Sequence, residues 1–155
     1  MRPFATADLS AVLDLSVRAW APVFAAVEKV LAGSQTFELM HPDWRAGQRA
    51  AVEATCTSLP TWVAEDAGTV AGFVAVTLHE ADRMGEIVMI AVDPAYQRRG
   101  HAAAMVAFAT DWLREQGMSV ALIDTGADEG HAPARRVYEA AGYTPLPGVK
   151  YFKAL

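Results

Sequence analysis

Cysteine is almost absent: Cys56 is the only one in 155 residues. That excludes an intramolecular disulfide and a cysteine-based metal cluster. A single free thiol fits a reducing compartment, so a cytoplasmic protein is expected. Lysine is scarce as well, outnumbered by arginine ten to three, and the net charge of −5 leaves no basic excess of the kind a general nucleic-acid binder carries. No stretch reaches the ~20 apolar residues of a membrane span. The longest run free of Asp, Glu, Lys and Arg, Ala67 to His79, is interrupted by Gly68, Thr69 and Gly72. The N-terminus has no basic segment leading into an apolar run, so neither a leader peptide nor a membrane partner is expected. Repeats, low-complexity tracts and linkers are missing too, which leaves one domain over residues 1–155.

What is present is a chain 53% apolar and 20% charged, enough to bury a core without staples. Met1 to Phe4 fits a short edge strand limited by Pro3. Leu9, Val12, Leu13 and Val17 share one helical face behind Thr6 or Asp8 as cap. Pro22 suits the first turn of a second helix to about Leu31, broken by Gly33-Ser34. Asp43 to Leu59 predicts a third helix, ending before Pro60. After Pro60 the texture turns to strands: Thr61 to Glu65, a turn at Asp66-Ala67-Gly68, then Val70 to Leu78. Glu86 to Val92 is nearly all apolar, as in a strand covered on both faces. Gly100 to Gln116 is a long Ala-rich helix stopped by Gly117. A buried strand over Val120 to Asp124, a polar loop from Thr125 to Gly130 and a helix from Ala132 to Ala141 follow. Tyr143 to Leu155 reads as two short strands parted by Pro147-Gly148. This order is that of an α/β (α+β) domain with a single mixed sheet.

The most informative segment joins the apolar strand to the long helix: Asp93-Pro94-Ala95-Tyr96-Gln97-Arg98-Arg99-Gly100-His101-Ala102. A helix N-terminus offers unpaired N–H groups and the positive end of a dipole, both favouring an anion. Gly100 and the small Ala102 allow a bulky ligand close to the backbone, and Arg98 and Arg99 add charge. Neither G-x-x-x-x-G-K-[ST] nor G-x-G-x-x-G is present, so this is not one of the common nucleotide loops.

Gln97-Arg98-Arg99-Gly100-His101-Ala102, after Val92-Asp93-Pro94, resembles the acyl-CoA signature Q/R-x-x-G-x-G/A of the GNAT superfamily of N-acetyltransferases. A second stretch, His131-Ala132-Pro133-Ala134-Arg135-Arg136-Val137-Tyr138-Glu139-Ala140-Ala141-Gly142-Tyr143, is similar to that superfamily's N-x-x-A-x-x-x-Y-E-x-x-G-F/Y. The likeness is specific from about Trp62 to Thr144. It implies a mostly antiparallel sheet with flanking helices, in which two central parallel strands, ending at Val92 and Asp124, splay apart. The pantetheine arm of acetyl-CoA would lie in the gap against free backbone groups of Ile90, Ala91 and Val92. The pyrophosphate would sit over Gln97, Arg98, Arg99, Gly100, His101, Ala102 and Ala103. His131 stands where the pattern has Asn, and would contact the cofactor or the loop.

The resemblance also implies direct transfer of acetyl to a primary amine of a small molecule or peptide, with no metal and no covalent enzyme intermediate. Expelling the CoA thiolate calls for a proton donor, and Tyr138 holds the motif position of such a phenol. Glu86, eleven residues before Gln97, matches the glutamate base of the histone-acetyltransferase branch; His41, His79, Glu80 and Asp124 are lesser candidates. Trp20 and Phe24, on one helical face, are the candidate acceptor-binding pair, with Phe37 and Trp44 beside them. Packing is the competing role for all four. Glu28, Glu38 and Asp43 could draw in a cation, and Cys56 is expected to be buried. A homodimer is common among such proteins. The alternatives to an enzyme are a non-catalytic acyl-CoA-binding or regulatory module, and an interaction subunit with a closed cleft.

Overall fold

The computed structural model describes residues 1–155. In chain order the strands and helices are β1 (Arg2–Pro3), α1 (Leu9–Val30), α2 (Thr36–Met40), α3 (Trp44–Ser58), β2 (Thr61–Asp66), β3 (Thr69–His79), β4 (Met84–Val92), α4 (His101–Glu115), β5 (Val120–Leu122) and α5 (Ala132–Ala140). The five strands form one sheet in the order β1-β2-β3-β4-β5. The first three pairings are antiparallel and β4–β5 is parallel. The mixed, mostly antiparallel sheet read from the sequence is therefore the one that forms.

Period-2 alternation splits the sheet into two cores. Phe73 and Ala91 face α1 and α3, where they meet Val12, Leu15, Val52, Cys56 and Val63. Val74, Val76 and Val92 face α4 and meet Met105, Ala109 and Leu113. Cys56 is buried, and burial pushes its thiol up to about 11. Two glycines set the approach distances. A Cβ on Gly72 would lie 2.5 Å from the Ala91 carbonyl oxygen, and one on Gly85 would lie 2.3 Å from a Leu113 methyl carbon. β3 can therefore close on β4, and α4 can settle on the sheet, only because both positions lack a side chain.

β5, expected to be buried, is the sheet's outer strand, with Val120 55% and Leu122 37% exposed, and three further expectations need correction. The two N-terminal helices are one, α1, with Pro22 inside it. Proline there removes the single N–H that would pair with the Arg18 carbonyl, and the Ala- and Val-rich flanks carry the helix across that gap. The merged helix is long and apolar enough in composition to cross a membrane. Here its Val12, Leu13, Leu15 and Ser16 face packs on the sheet. Secondly, a short helix, α2, forms where only a break was read. Thirdly, the two C-terminal strands are absent: no residue from Thr144 onward enters a ladder, and none donates or accepts a backbone hydrogen bond. Pro145 and Pro147 fall on the same edge of an extended chain and leave it without donors, which explains why β5 gains no neighbour there.

Substituting the two kinds of glycine should give opposite signs. Gly72→Ala forces β3 and β4 apart and is expected to cost about 1–3 kcal/mol, a Tm drop of about 2–10 °C. Gly47→Ala, inside α3 with nothing within 4 Å of the added carbon, is expected to gain roughly 0.5–1 kcal/mol. Thermal denaturation of the two variants beside the parent checks both.

Candidate active site

β4 begins with a neighbour on each side and ends with one. Met84, Gly85 and Glu86 pair with Val120, Ala121 and Leu122, and β5 stops there, while β4 runs on to Val92 beside β3 alone. A bulge bends the strand at the same place: Ala75 pairs with Met89 and Val76 with Ile87, so Val88 has no partner. The result is a fork that opens beyond Glu86. The Asp93 N–H donates to the Ala71 carbonyl, and Ala91 lies opposite Phe73 in the same register. By antiparallel alternation the polar backbone of Ala91 is therefore spent on β3. Only Ile90 and Val92 turn theirs into the gap, and the Val92 carbonyl already accepts the Gln97 side-chain amide at 3.2 Å. Of the three residues expected to offer free backbone groups, Ala91 does not.

The turn after β4 is built for an anion. The N–H groups from Arg98 to Ala103 find no acceptor within the protein; the first helical bond is from the Ala104 N–H to the Gly100 carbonyl. Arg98 at φ 60° and Gly100 at φ 88° are both left-handed, which turns successive N–H groups toward one side. Arg99 does not stand free. It pairs with Asp66 at 3.2 Å and lies over the Tyr96 ring. His101 meets the same Asp66 oxygen at 3.2 Å. Ala102 packs into the α4-side core and Ala103 is exposed.

The turn is anchored at its start by a group that sequence reasoning named only as part of the motif. Asp93 is 7% exposed. It accepts the Ala95 N–H at 2.9 Å and the Arg18 guanidinium of α1 at 2.5 Å. Burial alone would raise its pKa. The hydrogen bonds from Arg18 and Ala95 outweigh that and hold it below the usual carboxylate range. Arg18 could not be found from sequence, because nothing local marks a partner 75 positions away.

Tyr138 lies on α5, half-buried, with no hydrogen bond to its hydroxyl. Burial, with the neighbouring Tyr143, pushes its pKa up to about 12, so it keeps its proton at any physiological pH. Tyr143 itself is tied down, its hydroxyl 2.8 Å from that of Thr110. Glu86 sits at the fork. Gly85 and Ile87 face α4, so Glu86 points to the α1 side, where its carboxylate lies 3.1 Å from His79 Nε2. His131 ends the turn leading into α5, and its Nδ1 lies 2.6 Å from Asp128 Oδ2.

A profile of the GNAT acetyltransferase family matches residues 25–143, the span that holds the fork, the anion turn and the Tyr138 helix. The chain belongs to that family. The mycothiol acetyltransferases of Thermomonospora curvata and Beutenbergia cavernae are 31% and 35% identical to it over 83 and 86 residues. These stretches are 54% and 55% of this chain but 27% and 28% of those proteins, so it spans little more than a quarter of their length. Among solved folds, the apo aminoglycoside 6′-N-acetyltransferase of Acinetobacter haemolyticus superposes with a TM-score of 0.67 at 15% identity, covering 99% of this chain and 97% of that one. An aminoglycoside N-acetyltransferase holding the bisubstrate analogue CoA-S-monomethyl-acetylneamine gives 0.62 at 17% identity, covering 99% and 96%. At these identities the likeness is one of fold.

Two cavities flank this GNAT core on the α1 side. The larger, about 450 Å³, lies between the C-terminal half of α1, α2 and the loop after β5; His41, Asp124, Asp128, His131, Lys150 and Phe152 supply its polar and aromatic wall. The second, about 390 Å³, lies between α1, α2 and α3 and shares Met40 and His41 with the first. Phe24 lines the second cavity, stacked on Trp44 at 4.5 Å and edge-on to His41. Trp20 lines neither. It packs against the α1-side core, its ring 6.4 Å from that of Phe73. The candidate acceptor pair is thereby divided: Trp20 fills the interior and Phe24 faces a cavity. The polar loop read between Thr125 and Gly130 supplies what was missed, Asp128; the only signal was an acid three positions before His131.

Asp93→Asn leaves the Arg18 cation without its counter-charge and is expected to cost about 1.5–3 kcal/mol at neutral pH. Because the folded pKa is depressed, that stabilisation is present above the ordinary carboxylate range and is lost as pH falls through the native value. The gap in Tm between parent and variant should therefore close in acid. Melting curves from neutral pH to pH ~3 read it directly.

Proposed function

We propose that this chain transfers an acetyl group from acetyl-CoA to an amine of a small molecule or peptide by direct attack. The observation that carries the reading is the fork. An extended arm fits beside β4, where Ile90 turns its N–H and C=O outward, and a pyrophosphate then falls on the unpaired N–H groups of Arg98 to Ala103. The names of the relatives, which are acetyl transfers to small molecules, support a small acceptor.

Residues of this chain account for every requirement but one, the acceptor of the proton that the amine loses. The anion turn holds the phosphates, and the fork between β4 and β5 holds the arm and its thioester. The neutral amine attacks the thioester carbon, the C–S bond breaks, and the departing sulfur takes a proton. Tyr138 supplies it: its hydroxyl is unbonded and, with a pKa of about 12, protonated. The amine enters from the α1 side, through the larger cavity, whose carboxylates Asp124 and Asp128 favour a cation. Glu86, engaged by His79, stands at the fork but outside that cavity's lining.

Two measurements test this. Calorimetry should give clearly tighter binding of acetyl-CoA than of acetyl-pantetheine, and Gly100→Asp should remove most of the difference. Equal affinities would dismiss the anion turn. In a CoA-release assay over an amine panel, Tyr138→Phe should bind acetyl-CoA like the parent and turn over roughly 10²-fold more slowly. Binding without CoA release by the parent with any amine would make the chain a non-catalytic acyl-CoA-binding module.

A further inference from the structure

Two carboxylate–imidazole pairs flank the fork, and they are not equivalent. In the pair of His79 and Glu86 the nitrogen and oxygen are 3.1 Å apart, the side chains are 41% and 24% exposed, and neither residue lines a described cavity. In the pair of His131 and Asp128 the separation is 2.6 Å, the exposures are 23% and 11%, and both residues line the larger cavity. We propose that His131, oriented by Asp128, is the general base that takes the proton from the attacking amine. This rests on the acetyl-transfer reading above and assigns a step that reading leaves open.

The pair is built into its loop. Asp128 accepts the His131 backbone N–H at 3.2 Å through Oδ1 and the ring through Oδ2. Arg135 pins the loop from α5, donating to the Gly126 carbonyl at 2.6 Å and the Asp128 carbonyl at 2.7 Å. Gly126 leaves room for the contact: a Cβ there would lie 2.3 Å from Asp128 Oδ2 and 2.5 Å from His131 Nδ1. Burial would raise the Asp128 pKa, but the hydrogen bonds it accepts from the His131 ring and backbone outweigh that and hold the carboxyl below its usual range, so it is ionised. An ionised carboxylate at Nδ1 places the ring hydrogen there and leaves the lone pair on Nε2, which has no partner within the protein.

Spacing then sets the geometry. His131 and Tyr138 are seven positions apart across the start of α5, two helical turns on one side and roughly 10 Å along the axis. Acyl transfer needs a proton acceptor at the attacking nitrogen and a separate proton donor at the sulfur, and two residues set two turns apart on one side of α5 can serve the two atoms without competing for one place. As the N–C bond forms, the amine proton passes to His131 Nε2. As the C–S bond breaks, the sulfur takes the Tyr138 proton. Solvent returns the proton from the imidazolium to the phenolate, and the net products are an amide and CoA thiol. The charged and titratable groups around the ring are His41 at the end of α2, Asp124 after β5, Lys150 in the C-terminal segment, and Asp128 and Arg135.

The test uses the full chain, acetyl-CoA and the fastest amine of the panel. His131→Asn keeps a hydrogen-bonding side chain and removes the titratable nitrogen. It should bind acetyl-CoA within about threefold of the parent and turn over roughly 10²-fold more slowly, with the deficit shrinking as pH rises and the amine becomes neutral. Asp128→Asn is the positioning variant. Without its carboxylate the ring is no longer held in one orientation, so kcat should fall while acetyl-CoA affinity stays that of the parent, and imidazole ¹⁵N spectra should lose the preference for a proton on Nδ1. If His131→Asn turns over like the parent, the proposal is overturned. The same holds if its loss lies wholly in acetyl-CoA affinity, or if Glu86→Gln carries the pH-dependent loss instead. A parent that binds acetyl-CoA and acetylates no amine overturns the transfer reading first, and this one with it.

Discussion

The architecture of this chain turns on one strand losing a neighbour. β4 is hydrogen-bonded to β5 for three residue pairs and then continues with one edge bare. In a sheet interior that would be a defect, since unpaired backbone groups away from water cost about as much as lost hydrogen bonds. Here the bulge at Val88 and the short β5 make the bare edge permanent. The edge faces a gap rather than a strand, and the ladder is left incomplete from Ile87 to Val92.

The strand's far end is tied to both layers of the fold. Asp93 ties the last residue of the ladder to Arg18 on the opposite layer and starts the turn through the Ala95 N–H. α1, the sheet and the phosphate turn are thus joined at one carboxylate. Asp66 does the same from β2, holding Arg99 and His101 of the turn. The unpaired N–H groups of the turn keep their aim because acids on two different elements hold the side chains around them. Acids near an anion site look unfavourable at first sight; at these positions they orient cations and spare the backbone donors.

The cofactor half was legible in the sequence because its chemistry is local. A buried strand, a V-D-P stop, a Gly within a basic turn and an Ala-rich helix occupy consecutive residues, and Tyr138 lies in a second compact motif. Contacts between distant segments were not legible. Arg18 carries no mark of Asp93, and Trp20 reads the same whether it lines a pocket or, as here, supports Phe73. Pro22 reads as a helix start, because propensity reasoning weighs one lost hydrogen bond more heavily than the helix-forming residues on both sides of it and the packed face that precedes it. The C-terminal segment misled in the opposite sense: Val149, Tyr151 and Phe152 have strand-like side chains, yet Pro145 and Pro147 deny the backbone its donors. His131 was noticed as a departure at a cofactor position. Its pairing with Asp128 depends on how the loop folds over Gly126.

That C-terminal segment has a consequence for how the protein can change over generations. Lys150 and Phe152 form part of the wall of the larger cavity, yet from Thr144 onward the chain contributes no hydrogen bond and no core side chain. Substitutions, insertions or length changes there leave both cores and the phosphate turn untouched. The β4 edge has no such freedom, since Gly72, Gly85 and Asp93 are each fixed by a neighbour on another element. Drift in this chain is therefore channelled: the β4 edge and the turn after it are locked into the architecture, while the tail that walls one side of the larger cavity can be rewritten at almost no cost to folding.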